Sequence, residues 1–326
     1  MGALARPLAV AALVVLALLS LSIGPLQVSP DRLLAAALGG GDETARLALS
    51  LRLPGLLTAL VTGAGLATAG AALQLLFRNP LAAPDLLGVS SGAAAGAALA
   101  ILAGLGAALT QGAAFAGGLV AGGLALAAAG AVRSAEPRLT LVLCGVVVGA
   151  LASALVALIL LVADPYGQLP TLTYWLLGSF GRATLSEATV ALMFAGLGAL
   201  ILNLLGFRLD ALSLGDAQAR SLGLSAGPLR LIALGAATLT ASAVVSIAGL
   251  VGWIGLIAPH AARLIVGDSA PRLLPMSALV GACLAVLVGQ LARAFGPAEI
   301  PVGLLTAAVG APAFLALFIA TQRGRA

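Results

Sequence analysis

Apolar stretches of similar length recur from one end of this chain to the other, and that repetition limits its architecture more than any single motif. They lie near 8–26, 54–77, 87–108, 112–132, 139–163, 188–207, 229–246, 250–267, 273–292 and 302–321. Each comes close to the roughly 20 residues that a helix needs to cross the hydrocarbon of a bilayer. The expected fold is all-α, a polytopic membrane protein of about ten transmembrane helices. Glycine and alanine crowd the runs, as close helix packing in lipid requires. No internal repeat or disordered linker interrupts the pattern, so residues 1–326 read as a single transmembrane domain. The first run follows Arg6 and resembles a signal peptide. Without a small-x-small cleavage site after it, it reads as an uncleaved first span.

Charge then orients the bundle. Only 8% of the residues are charged, against about a quarter in a soluble domain. The net charge of +5 is small and scattered, which argues against a nucleic-acid partner and suits the ends of spans. Every one of the 16 basic residues is an arginine. Arg32, Arg46, Arg52, Arg182 and Arg293 fall on one side of a ten-helix arrangement, and all the others fall on the opposite side. The positive-inside rule puts the richer side, with both termini, in the cytoplasm.

Three connections exceed a turn. The segment 27–53 offers a helix start at Ser29-Pro30-Asp31 and a break at Gly39-Gly40-Gly41. The segment 164–187 is too broken to span, and reads as a short interfacial helix carrying Tyr174 and Trp175. On the cytoplasmic side, 208–230 holds "DAQARSLG" between Gly215 and Gly223, a helix-capable piece with Asp216 at its N-terminus. Leu214, Ala219 and Leu222 could form its apolar side, with Asp216 and Arg220 on another. Spacing alone favours a solvated cytoplasmic loop with an incidental helix over a partner-docking element.

Missing chemistry narrows the function. No Asp or Glu falls within any of the ten runs, so an ion-coupled secondary transporter, the main rival class, lacks its usual coupling group. A chain without lysine cannot hold a phosphate-binding P-loop. No nucleophile–base pair or metal cluster is visible, and neither enzymatic activity nor a cofactor is expected. Cys144 and Cys283 sit in apolar runs and read as packing residues. His260, one turn before Arg263, reads as structural, and Trp253 as packing. Energy for transport must come from a partner.

Four segments carry a family resemblance, over about residues 46–320. They are "LRLPGLLTALVTGAGLATAGAALQLLFRNPLAAPDLLGVSSGAAAG", "LSLGDAQARSLGL", "GLVGWIGLIAPHAARLIVG" followed by "LLPMSALVGA", and "EIPVGLLTAAVGAPAF". In order and spacing they resemble the permease subunits of type II ATP-binding-cassette importers, the FecCD-like family that carries iron–siderophores, haem, cobalamin and molybdate. The resemblance implies a homodimer of ten-helix subunits in the bacterial inner membrane. Two cytoplasmic ATPase subunits would dock beneath it and a periplasmic substrate-binding protein above it, with alternating access along the dimer axis.

Carried over residue by residue, Leu214, Gly215, Asp216, Ala219, Arg220, Leu222 and Gly223 fall on the ATPase-coupling segment. Arg52 and Arg293 match periplasmic arginines that pair with the binding protein, and are expected at the rim. Asn79 and Leu81, in "RNPLAAP", match the loop that narrows the cytoplasmic end of the path, opposite Arg138 and Thr140. Two positions depart from the pattern. Gly55 replaces an arginine and Gln290 an aspartate, which weakens the expected charge cluster. The commonest cargo in the family is an iron chelate. "LPTLTYWLLGSF" and "GWIGLIAPH" look like members that carry molybdate or tungstate, and cobalamin stays open.

Overall fold

Each apolar run becomes a helix, and short helices fill the connections between them. The computed structural model describes residues 2–24, 27–132, 136–294 and 299–323. In chain order the helices are α1 (Gly2–Ser22), α2 (Pro30–Ala37), α3 (Glu43–Phe77), α4 (Val89–Leu102), α5 (Ala107–Ala131), α6 (Pro137–Val162) and α7 (Gln168–Leu177). They continue with α8 (Leu185–Leu204), α9 (Gly206–Leu214), α10 (Asp216–Ser221), α11 (Ala226–Ala248), α12 (Ile254–Val266), α13 (Ala270–Ala294) and α14 (Val302–Arg323). A single 3-10 turn, Pro84–Leu87, links α3 to α4. No strand occurs among the described residues. Among the described residues, seven helices are long and apolar enough to cross a membrane; α4 and α12, at 14 and 13 residues, and the apolar part of α14, Val302–Ala316, are shorter. Arg133, Arg325 and the side chain of Arg323, used above for orientation, lie outside the described residues.

Local chemistry sets the boundaries. Asp42 caps α3 by accepting from the Ala45 amide at 2.9 Å, and Arg78 ends it in the left-handed conformation. That helix begins eleven residues before the apolar run, and Pro54 lies inside it. The polar segment Glu43–Leu53 is helical because α2 and the end of α1 cover part of it: Ala45 and Ala48 are buried with Val28 and Leu33. At the start of α8, Thr184 and Glu187 form a reciprocal capping box.

Buried α3 is the axis of the bundle, flanked by α13, α11, α8 and α12. A Cβ on Gly63 would fall on the carbonyl oxygen of Gly281, and one on Gly70 would fall on that of Gly255. Backbone contact of this kind is what small residues allow where lipid offers no hydrophobic drive. Helices α1 and α13 run parallel: Arg6 donates to the Pro271 carbonyl at 3.3 Å and Arg293 to Ser20 Oγ at 2.7 Å. The molecule therefore has two polar ends, one carrying α9 and α10, the other α2 and α7.

Two irregular segments enter the bundle. After α11, residues 249–253 run non-helically beside α7 and α14 until Trp253 starts α12 at φ +68°, its ring against Phe314. The 3-10 turn packs on α6, with the Leu86 carbonyl against Gly145. Gly145 lies about 12 Å along α6 from its first residue. Asp85, on that turn and bonded by Ser90, thus sits at the depth of the spanning helices. The sequence reading placed no carboxylate there, because Asp85 falls between two apolar runs and its depth is a tertiary property.

Candidate coupling, gate and docking sites

At the α10 end, a charged cluster joins four elements. Asp216, the first residue of α10, accepts from Arg230 of α11 at 2.6 Å and lies 3.6 Å from Arg138 at the start of α6. Arg78, at the end of α3, packs so close that a Cβ on Gly215 would come within 2.5 Å of its Nη2. The Arg230 hydrogen bond, reinforced by the positive charges of Arg230, Arg138 and Arg220, holds the Asp216 carboxyl below its ordinary 3.8. A second carboxylate fixes α9: Asp210 accepts from the Ala270 amide at 2.6 Å and from Ser269 at 3.0 Å, capping α13.

Within the expected coupling segment, the apolar side is divided. Ala219 is fully buried, whereas Leu214 and Leu222 are 63% and 62% exposed. The three were expected on one face. They separate because Gly215, at φ +130°, breaks the chain between α9 and α10, and Leu222 lies past the end of α10. Gly223 adopts φ +77°, a region that favours glycine. Two apolar side chains therefore project from the loop while its polar residue holds it to the bundle. Arg220, exposed in the last turn of α10, contributes only long-range charge to Asp216.

The residues expected to form a gate share this end. Asn79 folds over its own loop, its side-chain oxygen accepting from the Leu81 amide at 2.9 Å, and Leu81 is exposed. Thr140 bonds the Glu136 carbonyl at 3.1 Å, in the first turn of α6 beside Arg138. Arg78 precedes Asn79, and Arg138 precedes Thr140 by two positions, so the Asp216 cluster lies at the root of both loops. Nearby, Arg263 pairs with Asp268 at 3.2 Å and donates to the buried Gln74 of α3. His260 is buried, edge-on to Phe314.

At the α7 end the expectation of a rim-exposed Arg52 is not met. Arg52 is 8% exposed and donates to the Leu21 carbonyl at 2.5 Å. The end of α1 lies against α3 there and offers the Leu21 carbonyl as an acceptor. Arg293 is half-buried, bonded to Ser20 and to Gln290 at 2.9 Å. At position 290 Arg293 thus makes a hydrogen bond to the neutral acceptor Gln290 in place of an ion pair. Both arginines line one cavity of about 250 Å³ with Glu299 and Gly55.

Sequence reasoning passed over Arg78 and Arg230 except as orientation markers. Arg230 stands 14 residues after Asp216, a spacing that no helical pattern connects. It also passed over Arg182, which lies over the buried Trp175 ring, 5.8 Å from its centroid. Burial lowers the pKa of Arg182, and Glu187 opposes the shift. Among the described residues, no group of three or more His, Cys, Asp or Glu is placed to hold a metal.

A bundle of long apolar helices with charged ends is the architecture of a membrane protein, and its relatives give the family. Residues 12–320 match the FecCD transport family, and the chain belongs to it. It is 38% identical over 320 residues to the molybdate import system permease protein MolB of Haemophilus influenzae, covering 96% of this chain and 94% of that protein. It is 38% identical over 308 residues to the Fe(3+)-citrate import system permease protein YfmE of Bacillus subtilis, covering 94% and 91%. A metal-chelate type ABC transporter solved in an inward-facing conformation superposes with a TM-score of 0.86 at 36% identity, covering 95% of this chain and 97% of that one. The protein is a permease subunit of an ATP-binding-cassette importer.

Proposed function

We propose that the chain works as a homodimer of ten-span subunits in the bacterial inner membrane, both termini cytoplasmic, importing an iron chelate such as a siderophore complex or haem. Two ATPase subunits act on the α10 end, and a periplasmic binding protein delivers cargo to the α7 end. The observation that carries this reading is the α9–α10 segment. It projects Leu214 and Leu222 outward while Asp216 ties it to α11 and to the start of α6, where the expected gate residues Arg138 and Thr140 lie. An apolar pair on a short, charge-anchored helix suits a groove on a moving partner. Asn79 and Leu81, with Arg138 and Thr140, form the cytoplasmic gate. Arg293 is the nearer docking charge, with Arg52 behind it in the same cavity.

Similarity to a Fe(3+)-citrate permease and to a metal-chelate transporter supports the iron-chelate cargo. Similarity to a molybdate permease over 96% of the chain favours molybdate as the second reading. Proteoliposomes containing the permease, its ATPase and its binding protein test both. Uptake of radioactive ferric siderophore should require ATP inside and be insensitive to dissipated ion gradients. Uptake of molybdate but not ferric chelate would replace the first cargo with the second. Uptake driven by an ion gradient without ATP would overturn the importer reading.

A further inference from the structure

Helices α5 and α8 both pack on α11 and come together where the Phe115 and Phe194 rings touch, centroids 4.9 Å apart. Between them runs an apolar cleft of about 330 Å³, walled by Ala108, Gly112, Phe115, Val190 and Phe194 and floored by Ala243. Toward the α7 end the cleft meets a wider cavity of about 720 Å³, with Gln111, Glu187 and Ser246 lining both. The walls change character there: Arg182, Gln168, Thr110, Tyr174 and Trp175 replace the hydrocarbon.

The wider cavity holds one guanidinium, Arg182, and two carboxylates, Asp164 and Glu187. Asp164 accepts from the Gly167 amide at 2.6 Å and the Tyr166 amide at 3.2 Å. Glu187 accepts from the Thr184 amide at 2.8 Å and its hydroxyl at 2.9 Å. Both carboxylates are thus engaged locally. Among the described residues, Arg182 has no carboxylate within the 4 Å of an ion pair, and its one close aromatic partner is Trp175.

We infer that the two cavities form one binding site for a membrane glycerophospholipid, with its phosphate on Arg182 and an acyl chain in the cleft between α5 and α8. A guanidinium pairs with phosphate through parallel hydrogen bonds. Tyrosine and tryptophan favour the headgroup level. The outer faces of the flanking helices carry exposed Leu109, Val120, Met193 and Leu197, so the cleft opens on hydrocarbon. A cleft left empty would forfeit the dispersion contacts of its lining. A mouth with a guanidinium and two aromatic rings above a mainly apolar channel is complementary to an amphiphile. The site is separate from the coupling and gate readings and does not depend on them.

Native mass spectrometry of the full chain, titrated with phosphatidylglycerol in detergent, tests this. Wild type should retain one lipid per chain under activation that strips all others. R182Q should weaken it by about tenfold, the scale of one lost charge-assisted hydrogen bond. Gly112 offers an independent variant, because a Cβ there meets nothing within 4 Å. G112L should fill the cleft and abolish retention, with unfolding temperature and oligomeric state unchanged. Equal lipid affinity in wild type, R182Q and G112L would mean ordinary boundary lipid and overturn the site. Equally tight binding of soluble glycerol 3-phosphate would show a phosphate site that does not read the chain. Dissociation of the dimer by G112L would assign the cleft to a second copy instead.

Discussion

At the α10 end, Asp216 gathers Arg230 and Arg138 from separate helices, with Arg78 alongside. At the α7 end, Arg52 and Arg293 turn inward onto the Leu21 carbonyl, Ser20 and Gln290. Both ends use arginine, with opposite mechanical results. Asp216 keeps 40% of its side chain exposed, and exposed ion pairs are worth only ~0.2–1 kcal/mol each. Such pairs can exchange as elements shift, at little cost. A buried guanidinium released from its acceptor leaves a charge uncompensated, which costs several kcal/mol. One end is fastened in a way that permits motion, and the other in a way that resists it.

The strongest way to break this comparison is to reverse the charge at the hub. D216R places another cation among Arg78, Arg138, Arg220 and Arg230, and should bring ATP-driven uptake to background while the subunit still folds. Cysteines at position 81 of a dimer should then lose any nucleotide dependence of crosslinking. Transport within twofold of wild type would reduce α10 to a solvated loop.

A smaller effect is expected at the other end. R52A removes a buried bond from the wall between α1 and α3, and should lower unfolding stability by about 1–3 kcal/mol. Association with the binding protein should change little, whereas R293A should slow it modestly and make it less salt-sensitive. A stable R52A with a strongly slowed, salt-dependent association would return Arg52 to the rim.

The smallest effect concerns pH. Asp216 has a folded pKa below 3.8, so its contribution is fully present above that value and is lost as pH falls through the lowered one. A nitroxide at position 218 should keep constant mobility from neutral pH down to 3.8 and loosen only below it. Loosening near neutrality would mean that another group holds α10.

Much of this was legible because it is local. Hydropathy located every apolar helix, Ser29-Pro30-Asp31 started α2, and the broken polar stretch at 164–187 yielded α7 with Tyr174 exposed. Local reasoning failed where a partner segment decides the outcome. Helix α3 runs through Pro54 back to Glu43 because α1 and α2 cover its first turns. Helix α9, unread within 208–230, is stabilised by Asp210 reaching α13, 60 positions away.

The sequence alone determined the class: apolar runs long enough to span, and four ordered segments that resemble the FecCD-like importer permeases. Periodicity and motif spacing are properties of the chain, and they persist whatever the helices pack against. The tertiary structure decided which charges meet. Asp216 found Arg138 and Arg230, Arg52 found the end of α1, Asp85 reached membrane depth, and Arg182 came to face a cavity. These outcomes depend on how helices distant in sequence are juxtaposed, and the packing of Gly63 on Gly281 and Gly70 on Gly255 sets that arrangement.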